Sequence, residues 1–326
     1  MENLLELRNV VKRFYIEGLI RRKYVTAVDG VSFTIPGEKP TTVSLVGESG
    51  SGKTTIARLI LGFIKPTSGE ILYKGKNIWK IKGREWWNYR REVQAIFQDP
   101  YAPLNPFYKV KHALIEPIKK FKLANSQSEA DKLAKNSVED VGLRAEVLDK
   151  YPHQLSGGER QRIMIARAFA IRPKLVIADE PVSMVDASLR ASILDLMNTL
   201  KEKYGTSFLY ITHDLSTAYS ISSSVLVIYL GTIVERGDCE AVIKNPKHPY
   251  MKMLIESVPI PDPKMRWRRK VKLKEESGES IQTKKGRLGC KFYDRCPEVM
   301  DICRSKAPPL VEVERNHWVA CFLYGK

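Results

Sequence analysis

The apolar positions of this 326-residue chain change their spacing several times, and each change marks an element. Residues 3–11 and 27–35 (LLELRNVV, AVDGVSFTI) alternate apolar with polar side chains, the period of half-buried strands. They predict a strand pair around a basic loop from Tyr15 to Lys23. A β-branched strand, a Gly/Ser loop and an amphipathic helix follow in TTVSLVGESGSGKTTIARLILGF. EILYKGKNI predicts a short strand pair after the Ser68-Gly69 turn, and residues 93–97 (VQAIF) another apolar strand. From Asp99 to Arg172 the period turns helical behind the proline-rich DPYAPLNPF, which predicts an inserted helical subdomain over 99–172.

Strands return at KLVIADE and SFLYITHD, with the helix ASLRASILDLMNTLKEKYG between them. Two buried strands joined by one helix make a βαβ unit, so the fold class is α/β with a parallel sheet. VLVIYLGTIVERGD reads as two strands turning at Leu230-Gly231. The main domain therefore spans 1–261, ending at Pro259-Ile260-Pro261. Residues 262–287 are basic and poor in apolar side chains, as a linker is, and 288–326 read as a separate small unit.

The strand–loop–helix at 47–55 holds Gly47, Ser49, Gly50, Gly52, Lys53, Thr54 and Thr55 in the pattern G-x-x-x-x-G-K-[ST]. The glycines let successive N–H groups turn inward, and the helix that follows presents its positive end to the same anion. Lys53 supplies a point charge for the β- and γ-phosphates of ATP, and the Thr54 hydroxyl a ligand for Mg²⁺. Such a loop needs a carboxylate at the end of a second strand, and LVIADE supplies Asp179 for the metal and Glu180 as a base for the attacking water. His213 closes the strand SFLYIT, on the side where α/β sheets bind ligands, and Gln98 follows VQAIF in the same way, within reach of metal or water. A second nest, Ser156-Gly157-Gly158, opens the helix RQRIMIARAFAI. Two phosphate nests with one hydrolytic set fit two chains paired head to tail, each offering its nest to the other's nucleotide.

The charge of +17 calls for an anionic partner or a merely solvated surface, and does not choose between nucleotide, nucleic acid and membrane. No run of eighteen apolar residues occurs, and the N-terminus lacks a signal-like apolar core, so the expected compartment is the cytoplasm. Cys290, Cys296, Cys303 and Cys321 crowd the end of the chain, which in a cytoplasmic protein argues for metal over disulfides.

The ordered set of P-loop, Gln98, LSGGE, LVIADE, SMVD and THD resembles the ATP-binding-cassette (ABC) ATPases over about residues 1–250. The resemblance implies a RecA-like P-loop core with an antiparallel β subdomain and a helical subdomain. It makes Gln98 the sensing glutamine, Ser156, Gly157 and Gly158 contacts to the partner's γ-phosphate, and Glu180 the base. It places Asp186 in the interface loop, His213 on the γ-phosphate, and an aromatic near the N-terminus under adenine. Phe14 matches that aromatic best, before Tyr15 and Tyr24. The sequence departs from the usual pattern at Glu159, where Gln is common, and at Met184 in the interface loop.

Phrases outside the shared motifs, among them FQDPYAPLNP, NPKHPYMKML and GCKFYDRCPEVMDICRSKAPPL, look like the oligopeptide/dipeptide importer ATPases, closest to the second of two paired ATPases. That implies a heterodimer with a second ATPase, two transmembrane permease subunits, an extracellular binding protein and no nucleic acid. A non-transport ABC ATPase acting on nucleic acid or ribosomes is the competing reading. The tail cysteines are separated by five, six and seventeen intervening residues, which lacks the C-x-x-C of common zinc sites and leaves zinc and a 4Fe–4S cluster both open. The subfamily resemblance implies the cluster, acting as a staple for a tail with little core. Arg266, Arg268, Arg269, Lys270 and Lys272 around Trp267 read as a solvated tether or as a contact for anionic lipid.

Overall fold

The computed structural model describes residues 3–16, 23–100, 103–258 and 288–325. The first half runs β1 (Asn3–Ile16), β2 (Lys23–Pro36), β3 (Thr42–Val46), α1 (Lys53–Ile60), β4 (Ser68–Tyr73), β5 (Lys76–Asn77), α2 (Gly83–Glu92), β6 (Val93–Ile96), α3 (Val110–Lys120) and α4 (Gln127–Glu139). The second runs α5 (Gly157–Phe169), β7 (Leu175–Asp179), α6 (Ala187–Tyr204), β8 (Ser207–Thr212), α7 (Leu215–Ile221), β9 (Ser224–Tyr229) and β10 (Thr232–Asp238). It closes with α8 (Cys239–Lys244), α9 (Pro249–Glu256), α10 (Ile302–Ser305), β11 (Val311–Glu314) and β12 (His317–Val319).

Two sheets organise these elements. The smaller is antiparallel in the order β2-β1-β4-β5, and the larger is mixed, in the order β11-β12-β10-β9-β3-β8-β7-β6. From β6 to β9 the pairing is parallel. Every residue of β3 and β8 is buried, as strands covered on both faces must be. One face carries Ile56, Leu59 and Ile60 of α1 together with the small sheet. The other carries α5 and α6, whose core continues into the helical subdomain through Leu114, Ile118, Ala130, Ala134 and Val138 of α3 and α4. Gly205 ends α6 in the left-handed conformation, φ 62°, which lets the chain turn straight into β8.

The expected α/β architecture and the parallel pair β7–β8 are present, and α3, α4 and α5 lie between β6 and β7. Three expectations change. The hairpin strands run past residues 11 and 27 because cross-strand pairs Phe14–Val25 and Tyr15–Tyr24 continue the ladder into the supposed loop. The helix α2 (GREWWNYRRE) was not expected; it packs Tyr89 into the core with Trp86 half-buried against it, and apart from Trp87 the rest is polar or glycine, so too few apolar positions announce it. The cysteine tail is not a separate body: β12 pairs antiparallel with β10, so its hairpin completes the large sheet. Phe292 is fully buried against Tyr229 and Tyr250, and His317 pairs with Glu235 at 2.7 Å, both side chains fully buried. The expected linker at 262–287, with its basic cluster, lies outside the described residues.

Candidate functional site

Because β6, β7, β8 and β3 are parallel and adjacent, the residues after them share one edge of the sheet. Gln98 follows β6, Asp179 ends β7 with Glu180 next after it, His213 follows β8 and Gly47 follows β3. Ligands gather at this carboxyl edge because helix N-termini point into it.

The loop after β3 is built for close backbone approach. A Cβ on Gly47 would lie 2.3 Å from the Ile228 carbonyl oxygen, and one on Gly52 2.3 Å from that of Ala27. Gly50 and Gly52 also hold φ of +80° and +105°, which side-chain-bearing residues rarely adopt. Helix α1 begins at Gly52 with no side-chain cap, so the N–H groups of Lys53, Thr54 and Thr55 have no partner within the helix. Ser51 Oγ is buried and has no hydrogen-bond partner among the described residues. Open amides, an orphaned hydroxyl and a space that no Cβ fits make a cradle for phosphate.

Lys53 is buried and folds back, its Nζ donating to the carbonyls of Gly47 (2.7 Å) and Glu48 (2.9 Å). Burial lowers its pKa, opposed by the charges of Glu180, Asp179 and Glu48. Thr54 hydrogen-bonds Asp179, which therefore stands directly beside the phosphate loop. Burial holds the Asp179 carboxyl above its ordinary range, with the Thr54 bond opposing and the Glu180 charge adding. Glu180 adopts a left-handed backbone, φ 49°, an unusual conformation for glutamate. Its N–H donates to Ile211 O at 2.9 Å, which ties the end of β7 to β8, and its Oε1 lies 2.9 Å from His213 Nδ1.

Lys53, Thr54, Asp179, Glu180 and His213 thus form one connected set. Gln98 lies two residues past β6, exposed on the same edge. Phe14 sits on β1, 39% exposed, with Lys12 Nζ 5.2 Å from its ring centroid. Tyr15 and Tyr24 are more exposed still on the same hairpin.

The second nest has a different character. Ser156 caps α5 by accepting from Glu159 N–H at 3.2 Å, while Glu159 Oε2 accepts from Ser156 N–H at 2.8 Å. This capping box explains Glu159, since Glu or Gln at this position closes it equally. Ser156 and Gly157 face solvent, and a Cβ on Gly158 would meet Leu189 Cδ1 at 2.9 Å, in the first turn of α6. Asp186 is exposed at the start of that helix, beside the exposed Met184.

Among the described residues no three His, Cys, Asp or Glu side chains converge closely enough to hold a metal ion. For the tail this supports neither the zinc nor the 4Fe–4S expectation. The thiols are nonetheless neighbours: Cys290 feels the charges of Cys303 and Cys321, Cys296 those of Cys290 and Cys303, and Cys321 those of Cys296 and Cys303. Burial pushes these three thiols up, against backbone N–H donors from Phe292 and Tyr293 to Cys290, Glu298 to Cys296 and Leu323 to Cys321. Sequence reasoning missed Glu48, Tyr250 and Arg295, which surround the phosphate loop. Glu48 occupies a variable position of the loop pattern, and Arg295 sits among cysteines read only for their spacing.

Residues 28–183 match the ABC transporter family, and residues 234–303 the oligopeptide/dipeptide transporter C-terminal region. The chain is 40% identical to the putative oligopeptide transport ATP-binding protein YkfD of Bacillus subtilis, over 93% of this chain and 91% of that one. It is also 40% identical to the oligopeptide transport ATP-binding protein AppF of the same organism, over 99% and 98%. Among solved structures, the ATP-binding cassette MJ0796, a dimer in a post-hydrolysis state with ADP and Pi, aligns with TM-score 0.63. It is 28% identical and covers 72% of this chain and 98% of its own. These relatives are a cassette and transport proteins, which disfavours the nucleic-acid reading of the basic charge. No helix among the described residues is long and apolar enough to cross a membrane. The chain belongs to the ABC transporter ATPases, in the family of oligopeptide/dipeptide transport ATP-binding proteins, and hydrolyses ATP in a reaction coupled to transport.

Proposed function

We propose that this chain drives peptide import as one of two different ATPase subunits beneath a pair of permease subunits, hydrolysing ATP with Glu180 as base. The observation that carries the chemistry is the 2.9 Å bond between Glu180 and His213, set beside Lys53 and the Thr54–Asp179 pair. Lys53 exchanges its two loop carbonyls for the β- and γ-phosphates when ATP enters. Glu180 takes a proton from water, the water oxygen bonds to the γ-phosphorus, and the bond to the bridging oxygen breaks to leave ADP and phosphate. His213 orients the Glu180 carboxylate and donates to the γ-phosphate, and Gln98 closes on the water from the next strand. Thr54, Asp179 and Gln98 would hold Mg²⁺, which would neutralise phosphate charge when bound. Phe14 supports the adenine face.

The second ATPase contributes its own Ser-Gly-Gly nest to this nucleotide, and Ser156, Gly157, Gly158 and Asp186 serve the site across the interface. The complex lies at the cytoplasmic face of the membrane, supplied with peptide by an extracellular binding protein. Affinity purification from membranes tests this reading: two permeases, a second ATPase and a peptide-loaded binding protein should co-purify. Recovery of the chain with nucleic acid instead would overturn it.

Cys290, Cys296, Cys303 and Cys321 would hold a 4Fe–4S cluster. Four mutually close thiols, three of them with backbone amide donors, support that reading. The cluster would act as a staple between the tail segments. Anaerobic purification should yield a brown, iron-containing protein; a colourless one carrying zinc would end this assignment.

A further inference from the structure

The cysteine tail reaches the phosphate loop at two points that the nucleotide motifs do not account for. Arg295 donates two hydrogen bonds to Glu48, Nη1 to Oε2 at 2.8 Å and Nη2 to Oε1 at 2.9 Å, a bidentate fork. Its guanidinium is also 5.8 Å from the ring centroids of both Tyr229 and Phe292. Glu48 is the second residue of the loop. Its N–H donates to Tyr250 Oη at 2.8 Å, while its carbonyl accepts from Lys53 Nζ at 2.9 Å and from Ser51 N–H at 3.2 Å. The residue is therefore held by side chain, amide and carbonyl at once.

The second point is Lys291, whose Nζ lies 2.8 Å from Asp29 Oδ2 and donates to Leu230 O at 2.8 Å. Asp29 N–H in turn donates to Gly231 O, and Gly231 N–H to Ser51 O, both at 2.8 Å. Lys291 adjoins Cys290 and Arg295 adjoins Cys296. The segment that orders the cysteines thus orders both braces, and the buried Phe292 between them fixes it to the core.

The charge at Glu48 gives the brace its consequence. A carboxylate in the phosphate loop repels a triphosphate, and at a half-buried site that repulsion is screened far less than in water. Pairing with Arg295 removes the net charge and, through the planar fork, holds the loop in its open-cradle shape. We propose that Arg295 is a positioning residue for ATP binding, and that the cysteine tail sets nucleotide affinity through it. The inference rests on the phosphate loop binding ATP but not on what the thiols hold.

The test is calorimetric titration of ATP into the full-length chain, with thermal unfolding measured on the same samples. R295A should weaken ATP binding by about 5- to 20-fold, in the range of ordinary inter-site couplings. R295K should recover part of that loss, because it restores charge without the fork. The double variant R295A/E48Q should bind within about threefold of the wild type, since the unpaired carboxylate has gone; a contact serving stability alone would not be rescued in this way. An R295A affinity within twofold of wild type, or a loss that E48Q fails to relieve, would overturn the proposal. No ATP binding by the wild-type chain would instead overturn the reading of the loop itself.

Discussion

The two glycine-rich helix starts of this chain look alike as sequence and differ as structure. Both place serine and glycine ahead of an amphipathic helix, which reads as an anion nest in each case. At α1 the helix has no side-chain cap and Ser51 Oγ is left without a partner. At α5 the Ser156–Glu159 box ties up the serine hydroxyl and the Ser156 and Glu159 amides, leaving those of Gly157 and Gly158 open. Leaving amides open costs stability unless a ligand takes them, so the first nest is kept for one. The second engages its serine hydroxyl in its own cap, and the Gly157 and Gly158 amides are what it leaves to a phosphate. The open nest is also the one braced from outside, by Ile228, Ala27, Tyr250 and Arg295.

The sharpest way to break this contrast is to act at the open nest. Glu180→Gln should lower steady-state hydrolysis by at least about 100-fold while leaving ATP binding intact. Undiminished turnover would remove Glu180 as the base. Gly52→Ala puts a Cβ where the Ala27 carbonyl stands, at a φ of +105°. Strain of roughly 1–3 kcal/mol is expected, and ATP affinity should fall by about tenfold or more. A matching substitution at the closed nest, Gly157→Ala, meets nothing within 4 Å and should leave the fold unaffected.

Acid should loosen the braced side first. His248 caps α9, accepting from Tyr250 N–H at 3.0 Å, and burial lowers its pKa from 6.5 to about 4. The unfolded chain therefore binds more protons between those values, so this contribution is complete above pH 6.5 and is lost as pH falls towards 4. The loss is on the order of 3 kcal/mol, and it releases the helix whose Tyr250 holds Glu48. Unfolding of H248N across this range should be distinctly flatter, because asparagine keeps the cap without the titration. The smallest effects belong to the closed nest. Ser156→Ala should cost about 1 kcal/mol in chemical unfolding. Glu159→Gln should be close to neutral, since glutamine closes the same box.

The signals legible in the sequence were those with a local cause. Lys53 and Thr54 follow from a loop pattern whose glycines have a steric reason, and Asp179 with Glu180 from an apolar strand that ends in acids. The strand pair β9–β10 and the turn at Leu230-Gly231 were legible because a period of two is confined to neighbours in the chain. Helix α2 was not, because only Tyr89 among its ten residues is buried. The place of the tail was not legible either. Its pairing with β10 joins residues some eighty positions apart, and the short strand HWV carries too little pattern to announce a partner.

The sequence by itself determined the α/β fold class, the phosphate-loop pattern, the pair of acids after an apolar strand and the membership of a transporter family. Those rest on local spacing and on backbone sterics that act within a few residues. Only the tertiary structure decided that α1 is open while α5 is capped, that Glu180 meets His213, and that the tail is an edge of the sheet rather than a body of its own. It alone brought Arg295 to Glu48 across 247 positions. Contacts of that range are chosen by which buried faces and charges find each other once the chain is folded, and no local pattern records the outcome.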